Sequence, residues 1–144
     1  MKTIEKDSYK FTVDIENTRE YYKAHSLCDC SACRNYCALI KDFLPSADEW
    51  LNDFGVDITR PDETILYQND DGTISYDACY TVCGKVAEHG GYEFDFKDKA
   101  FTSAVITSPD DILGCFPNKQ KGEYFGIIFY SITLPWALNE PLPD

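Results

Sequence analysis

The chain has 144 residues, about one domain's length and enough to bury roughly 68–70% of the surface its unfolded form exposes, so it can hold a real core. Thirteen basic residues against 25 acidic ones give a net charge of −12, which argues against binding nucleic acid or an anionic membrane and reads either as a solubility device, the commoner case, or as the electrostatic match for a basic partner. No stretch approaches the roughly eighteen apolar residues of a spanning helix, and residues 1–7 lack the apolar run of a secretory leader, so a cytoplasmic location is expected. In that compartment the seven cysteines are expected as reduced thiols, metal ligands or redox groups, and their odd number argues further against a disulfide framework.

Tyr9, Phe11 and Val13 alternate with polar residues as in a half-buried strand. Asn17 with Glu20 has the form of a capping box for a short helix over about residues 18–25, with Thr18, Tyr21, Tyr22 and His25 on one face. Ser31 is the expected cap of a second helix, along which Cys33, Tyr36, Cys37, Ile40 and Leu44 recur at helical spacing until Pro45 ends it. Ser46 and Glu49 form a second capping box; Ala47, Trp50, Leu51 and Phe54 make the apolar stripe of a third helix, and Gly55 its stop.

Strand periodicity then takes over. Ile65 and Tyr67 precede a hairpin turn at Asp71-Gly72, and a long strand runs over about residues 73–86. On it Ile74, Tyr76, Ala78, Tyr80 and Val82 share one face, while Cys79 and Cys83 lie on the more polar one. Further strands are expected at Tyr92, Phe94 and Phe96, at about residues 101–107, and at about residues 124–134. The last is apolar on both faces, with Ile128, Tyr130 and Ile132 opposite Phe125, Ile127 and Phe129, and should therefore be central. Between them Ser108-Pro109-Asp110-Asp111 reads as the start of a one-turn helix closed by Gly114. The pattern predicts one α+β domain over residues 1–144: a helical part at about 15–58, then a mostly antiparallel sheet of about five or six strands at about 62–135. The alternative is a β-sandwich with a helical N-terminal insertion.

The densest chemistry is H-x2-C-x-C-x2-C-x3-C, formed by His25, Cys28, Cys30, Cys33 and Cys37. Zinc takes four soft or borderline ligands in a tetrahedron, so Cys28, Cys30 and Cys33 with His25 or Cys37 would make a structural site. Three other readings stand beside it. The cysteines can be small core residues, since Cys30, Cys33 and Cys37 continue the stripe of Ile40 and Leu44. Cys30-Ser31-Ala32-Cys33 is a C-x2-C at a helix start, as redox thiols require, although it follows a helix and not a strand. The spacing is one residue short of an iron–sulfur run and lacks its proline. Cys79 and Cys83 would complete a metal site if the helices covered their face, and otherwise are semi-buried small residues; Cys115 gives no signal.

Phosphate-loop, zinc-protease and serine-hydrolase motifs do not occur, which argues mildly against an enzyme. His89, before Gly90-Gly91, reads as a turn residue. The segment YYKAHSLCDCSACRNY at residues 21–36, with FGVDI at 54–58 and LPW at 134–136, resembles a family of small bacterial proteins of the clostridial kind. That resemblance implies a bacterial cytoplasmic origin and carries no activity, ligand or catalytic residues. The expectation is a non-enzymatic binding or interaction domain with a structural zinc and a basic protein partner, in one version an immunity-type protein that neutralises a cationic toxin. The alternative is a thiol-dependent enzyme or redox protein.

Overall fold

The computed structural model describes residues 1–24, 28–91, 93–107 and 122–143. Its order is β1 (Lys2–Lys6), β2 (Tyr9–Val13), α1 (Ile15–Ala24), α2 (Ser31–Phe43), α3 (Pro45–Asn52), β3 (Glu63–Gln68), β4 (Ile74–Glu88), β5 (Phe94–Lys97), β6 (Phe101–Thr107) and β7 (Tyr124–Leu134). The strands form one seven-stranded sheet, β1-β2-β4-β7-β6-β5, with β3 also on β4, and every pairing is antiparallel. The α+β class holds with a single sheet, so the sandwich alternative falls. The strand expected at Tyr9, Phe11 and Val13 is β2, and β1 before it completes a hairpin that enters the sheet ahead of the helices.

β1 is the strand that periodicity missed, because only Ile4 of its five residues is buried. It lies at the sheet edge, where Lys2, Glu5 and Lys6 suit an exposed border that must not pair with another chain. β7, by contrast, lies between β4 and β6, as its two-sided apolar pattern required. Its faces are not the regular alternation expected. Ser131 adopts φ 58° and its amide donates to the Asp77 carboxylate at 2.9 Å, where the register with β4 shifts. The extra residue moves Ile132 and Leu134 onto the side of Phe125, Ile127 and Phe129, and all five are buried.

β3 covers one half of β4 and β2 the other, leaving the middle of that edge without a strand. α1, with Asp14 before it and Asp62 before β3, satisfies it. The Cys79 carbonyl accepts from the Asp62 amide at 2.8 Å, and Tyr22 Oη both accepts from the Thr81 amide at 2.8 Å and donates to the Thr81 carbonyl at 2.7 Å. The Cys83 amide then donates to Thr18 Oγ1 at 3.0 Å, and its carbonyl accepts from the Asp14 amide at 2.9 Å. A helix thus replaces a strand along this stretch, meeting the requirement that buried backbone polar groups be paired. Gly84 follows with φ 144°, and a Cβ there would lie 2.1 Å from the Thr12 carbonyl oxygen, so β2 can approach only a glycine.

The helix starts differ from the capping boxes read in the sequence. Asp14, not Asn17, begins α1: its carboxylate accepts from the Asn17 amide at 3.0 Å and its carbonyl from Thr18 Oγ1 at 2.8 Å. Pro45 does not merely end α2 but opens α3, whose first amides, of Ser46 and Ala47, donate to Asp98 at 3.0 and 3.4 Å from across the chain. The Asp71-Gly72 hairpin forms, although its loop runs from Asn69 to Thr73 and is closed by the Asn69 amide on the Thr73 carbonyl at 2.9 Å. Tyr92 and the helix expected from Ser108 to Gly114 lie outside the described residues.

The helices cover the face of β4 that carries Tyr76 and Tyr80. Tyr36 of α2 shares a 2.5 Å hydrogen bond with Tyr80, which donates to the Ile58 carbonyl at 2.6 Å, and Tyr76 donates to the Ala32 carbonyl at 2.7 Å. Beside this layer Trp50 of α3 and Phe54 just after it meet Phe11, Phe94, Phe96, Phe125 and Phe129 in tilted and edge-on contacts. Among the described residues most aromatic side chains therefore belong to the core or pack against it, with Tyr67 and Phe101 as exposed exceptions.

Candidate metal centre

Cys30 is the N-cap of α2, the position expected of Ser31. Its backbone is extended, and its Sγ accepts from the Cys33 amide at 3.4 Å. A sulfur does here what an oxygen of Ser, Thr or Asp ordinarily does, and no acidic residue occupies the first turn of this 13-residue helix. The capping geometry turns Cys28 and Cys30 back over the helix end, where Cys33 stands one turn on. The three Sγ atoms lie within 4.8 Å of one another, close enough to share one ion.

Cys28 and Cys30 are exposed and Cys33 is half-buried, so the core reading fails for the first two: they do not continue the stripe of Tyr36 and Ile40, both fully covered. Cys33 Sγ lies 3.8 Å from Thr64 Oγ1 of β3, which ties the cluster to the sheet. Partial burial works against ionisation of Cys30. The hydrogen bonds that it accepts from the Cys33 amide and from the neighbouring thiols outweigh this and hold its pKa below the usual thiol value. Cys33 is pushed up to about 12, first by burial and then by bonding to Cys30 and Cys28.

Arg34 fixes the approach to the cluster. Its Nε donates to the Asp29 carbonyl at 3.2 Å, while its two terminal nitrogens donate to the two carboxylate oxygens of Glu140 at 2.6 and 2.9 Å. The C-terminal segment is held again by Asn35, fully buried, which donates to the Pro135 carbonyl at 3.1 Å and accepts from the Ala137 amide at 2.9 Å. Neither role was evident from sequence, since each joins residues about a hundred positions apart.

The other expected ligands stand elsewhere. Cys37 Sγ donates to the Thr59 carbonyl at 2.9 Å, and burial raises its pKa, so it is not brought into the cluster. His25 and Cys115 lie outside the described residues. Cys79 and Cys83 lie on the face of β4 opposite Tyr76 and Tyr80, away from α2, and do not complete the site. Cys83 is buried and free; Cys79 is disulfide-bonded, which corrects the expectation that every cysteine is reduced. His89 Nδ1 lies 2.6 Å from the Gly90 carbonyl, and the ring packs against Tyr9, a local turn role.

The cluster opens onto a cavity of about 250 Å³ whose wall includes Tyr36, Pro61, Leu66, Asp62 and Glu63. Asp62 is engaged: Tyr21 Oη and Thr81 Oγ1 donate to its two oxygens, each at 2.5 Å. No described helix is long and apolar enough to cross a membrane. No protein-family model matches this chain, and no curated protein or solved structure is similar to it.

Proposed function

We propose that this chain is a binding domain that holds a thiophilic metal ion, zinc foremost, at Cys28, Cys30 and Cys33. The observation that supports this reading is the convergence of three sulfurs at the capped end of one helix, because thiolates select zinc and other soft ions over hard cations such as Mg²⁺ and Ca²⁺. For the fourth position of a zinc tetrahedron the sequence offers His25. Binding displaces the thiol protons and ties the loop of residues 28–30 to the first turn of α2. The net charge of −12 favours a basic protein as the partner of the assembled domain, an immunity-type role included.

Elemental analysis of protein purified without added metal, with cobalt(II) substitution read by its thiolate charge-transfer band, tests this. One equivalent of metal, lost in Cys28→Ser and Cys33→Ser and weakened in His25→Ala, is expected. Metal-free protein that takes up no cobalt would overturn it.

A second reading is favoured by one observation, the sulfur cap. Unpaired amides at a helix start stabilise a thiolate at Cys30 as they do in dithiol oxidoreductases, and Cys33 follows at the spacing of a resolving thiol. With a small-molecule disulfide as oxidant, the Cys30 thiolate attacks one sulfur and expels the other half as a thiol. Cys33 then gives up its proton and displaces the second half, leaving a Cys30–Cys33 disulfide and two reduced thiols. Mass spectrometry after equilibration in glutathione buffers distinguishes the readings: a reversible loss of two hydrogens at Cys30 and Cys33 in metal-free protein supports the second.

A further inference from the structure

Between α1, the last turn of α2, α3 and the segment from Gly55 to Arg60 lies a polar depression of about 470 Å³ whose charge is opposite to that of the molecule. Four of the thirteen basic residues, Arg19, Lys23, Lys41 and Arg60, line it, against two acids, Asp48 and Asp57. Two cations have an ordinary explanation, since Lys23 and Lys41 occupy the last turns of α1 and α2, where positive charge complements the helix dipole. That explanation covers neither Arg19 nor Arg60, nor the convergence of all four on one hollow.

The scaffold beneath them is closely packed. Gly55 adopts φ 86°, and a Cβ there would lie 2.8 Å from the Ile15 carbonyl oxygen, so the segment after α3 lies directly on α1. The same segment carries Arg60, whose guanidinium donates to the Tyr22 carbonyl at 3.3 Å and lies 3.7 Å from Asp57. Asp57 is oriented in turn by the amide and hydroxyl of Thr59, at 2.9 and 2.7 Å. Arg19 and Lys23 pair outward with Glu16 and Glu20 at 3.8 and 3.3 Å, exposed contacts that are weak and readily given up to a stronger anion.

The geometry points to this hollow as a binding site for a small multiply charged anion that carries phosphate groups. Planar guanidiniums on two walls suit paired phosphate oxygens, lysines supply point charge, and the volume lies in the range of small-molecule sites. A net charge of −12 disfavours anions over the molecule as a whole, so four cations gathered at one hollow mark it out. The site is separate from the cysteine cluster, and its test does not depend on the metal.

Pyrophosphate and glucose 6-phosphate are titrated calorimetrically into the full chain at fixed ionic strength, with sulfate and citrate as controls. Saturable one-to-one binding of a phosphate compound is expected, weakened about tenfold or more by Lys41→Glu and by Arg19→Glu and unchanged by Lys99→Glu. Lys41 and Arg19 are exposed, and circular dichroism verifies that both variants fold. Flat isotherms in the folded wild type, equal binding of sulfate and citrate, or equal weakening by Lys99→Glu would overturn the assignment.

Discussion

Helix α2 carries two chemistries about two turns apart, and the contrast separates what holds the molecule together from what it can bind. At Tyr36 the helix is closed: the ring is buried, and the hydroxyl joins a chain through Tyr80 to the Ile58 carbonyl, built from residues far apart in sequence. At Cys28 and Cys30 it is open, and the sulfurs find their partners within six residues. Polar groups anchored by distant partners belong to the fold, whereas a locally assembled cluster can be altered or loaded without disturbing it.

The largest expected effect lies on the closed side. Burial raises the pKa of Tyr22, Tyr36 and Tyr80 well above the phenol value of 10.0. In the unfolded chain these phenols ionise near pH 10, while in the folded one they stay protonated. Their contribution to stability is therefore complete below pH 10 and falls as pH rises beyond it, by about 4 kcal/mol per pH unit for three such groups. Urea melts between pH 8 and 12 check this, and a flat profile would mean that the tyrosine layer is not sealed.

Next in size is the open side. Excess zinc at 100 times its dissociation constant is expected to stabilise the wild type by about 2.7 kcal/mol. Cys30→Ser abolishes that gain yet changes metal-free stability by no more than about 0.5 kcal/mol, because serine is itself a preferred N-cap and the side chain is exposed. Thermal melts with zinc and with chelator measure both quantities. A large loss in the metal-free melt would show that the cluster is part of the core after all.

Tyr80→Phe follows, at about 1–3 kcal/mol, since it leaves the Ile58 carbonyl and the Tyr36 hydroxyl buried without the partner they share. Metal stoichiometry is expected to stay the same. A variant that lost stability and metal together would erase the distinction between the two ends of α2.

Sequence patterns reached the closed side more easily than the open one. Period-two alternation located β2 and β4, and a two-sided apolar run made β7 central, because burial of apolar side chains is written at short range. β1 escaped because one inward isoleucine makes no pattern, and the phase of β7 was misread past Ser131 because a bulge has no signature in hydrophobicity. The cysteine cluster was visible as spacing. Which thiols meet depended on the cap: with Ser31 as cap, Cys37 looks as available as Cys28, whereas a cap at Cys30 folds the preceding loop over the helix end and leaves Cys37 bonded to Thr59.

The smallest expected effect bears on the boundary between the two regions. Arg34 is exposed, yet it joins the Asp29 carbonyl next to the cysteines to Glu140 of the C-terminal segment. Its guanidinium holds the Glu140 carboxyl below the usual glutamate value, so this link persists at neutral pH and is lost as pH falls through the lowered pKa. Arg34→Gln should leave the urea midpoint nearly unchanged, because Asn35 still anchors Pro135 and Ala137. It should nonetheless speed alkylation of Cys28 and Cys30 in metal-free protein, and lowering the pH beneath the usual glutamate range should do the same in the wild type, after correction for thiol ionisation with a model thiol. If neither change alters thiol reactivity, the capped turn alone arranges the sulfurs, and the open region is more independent of the rest of the chain than the Arg34 contacts imply.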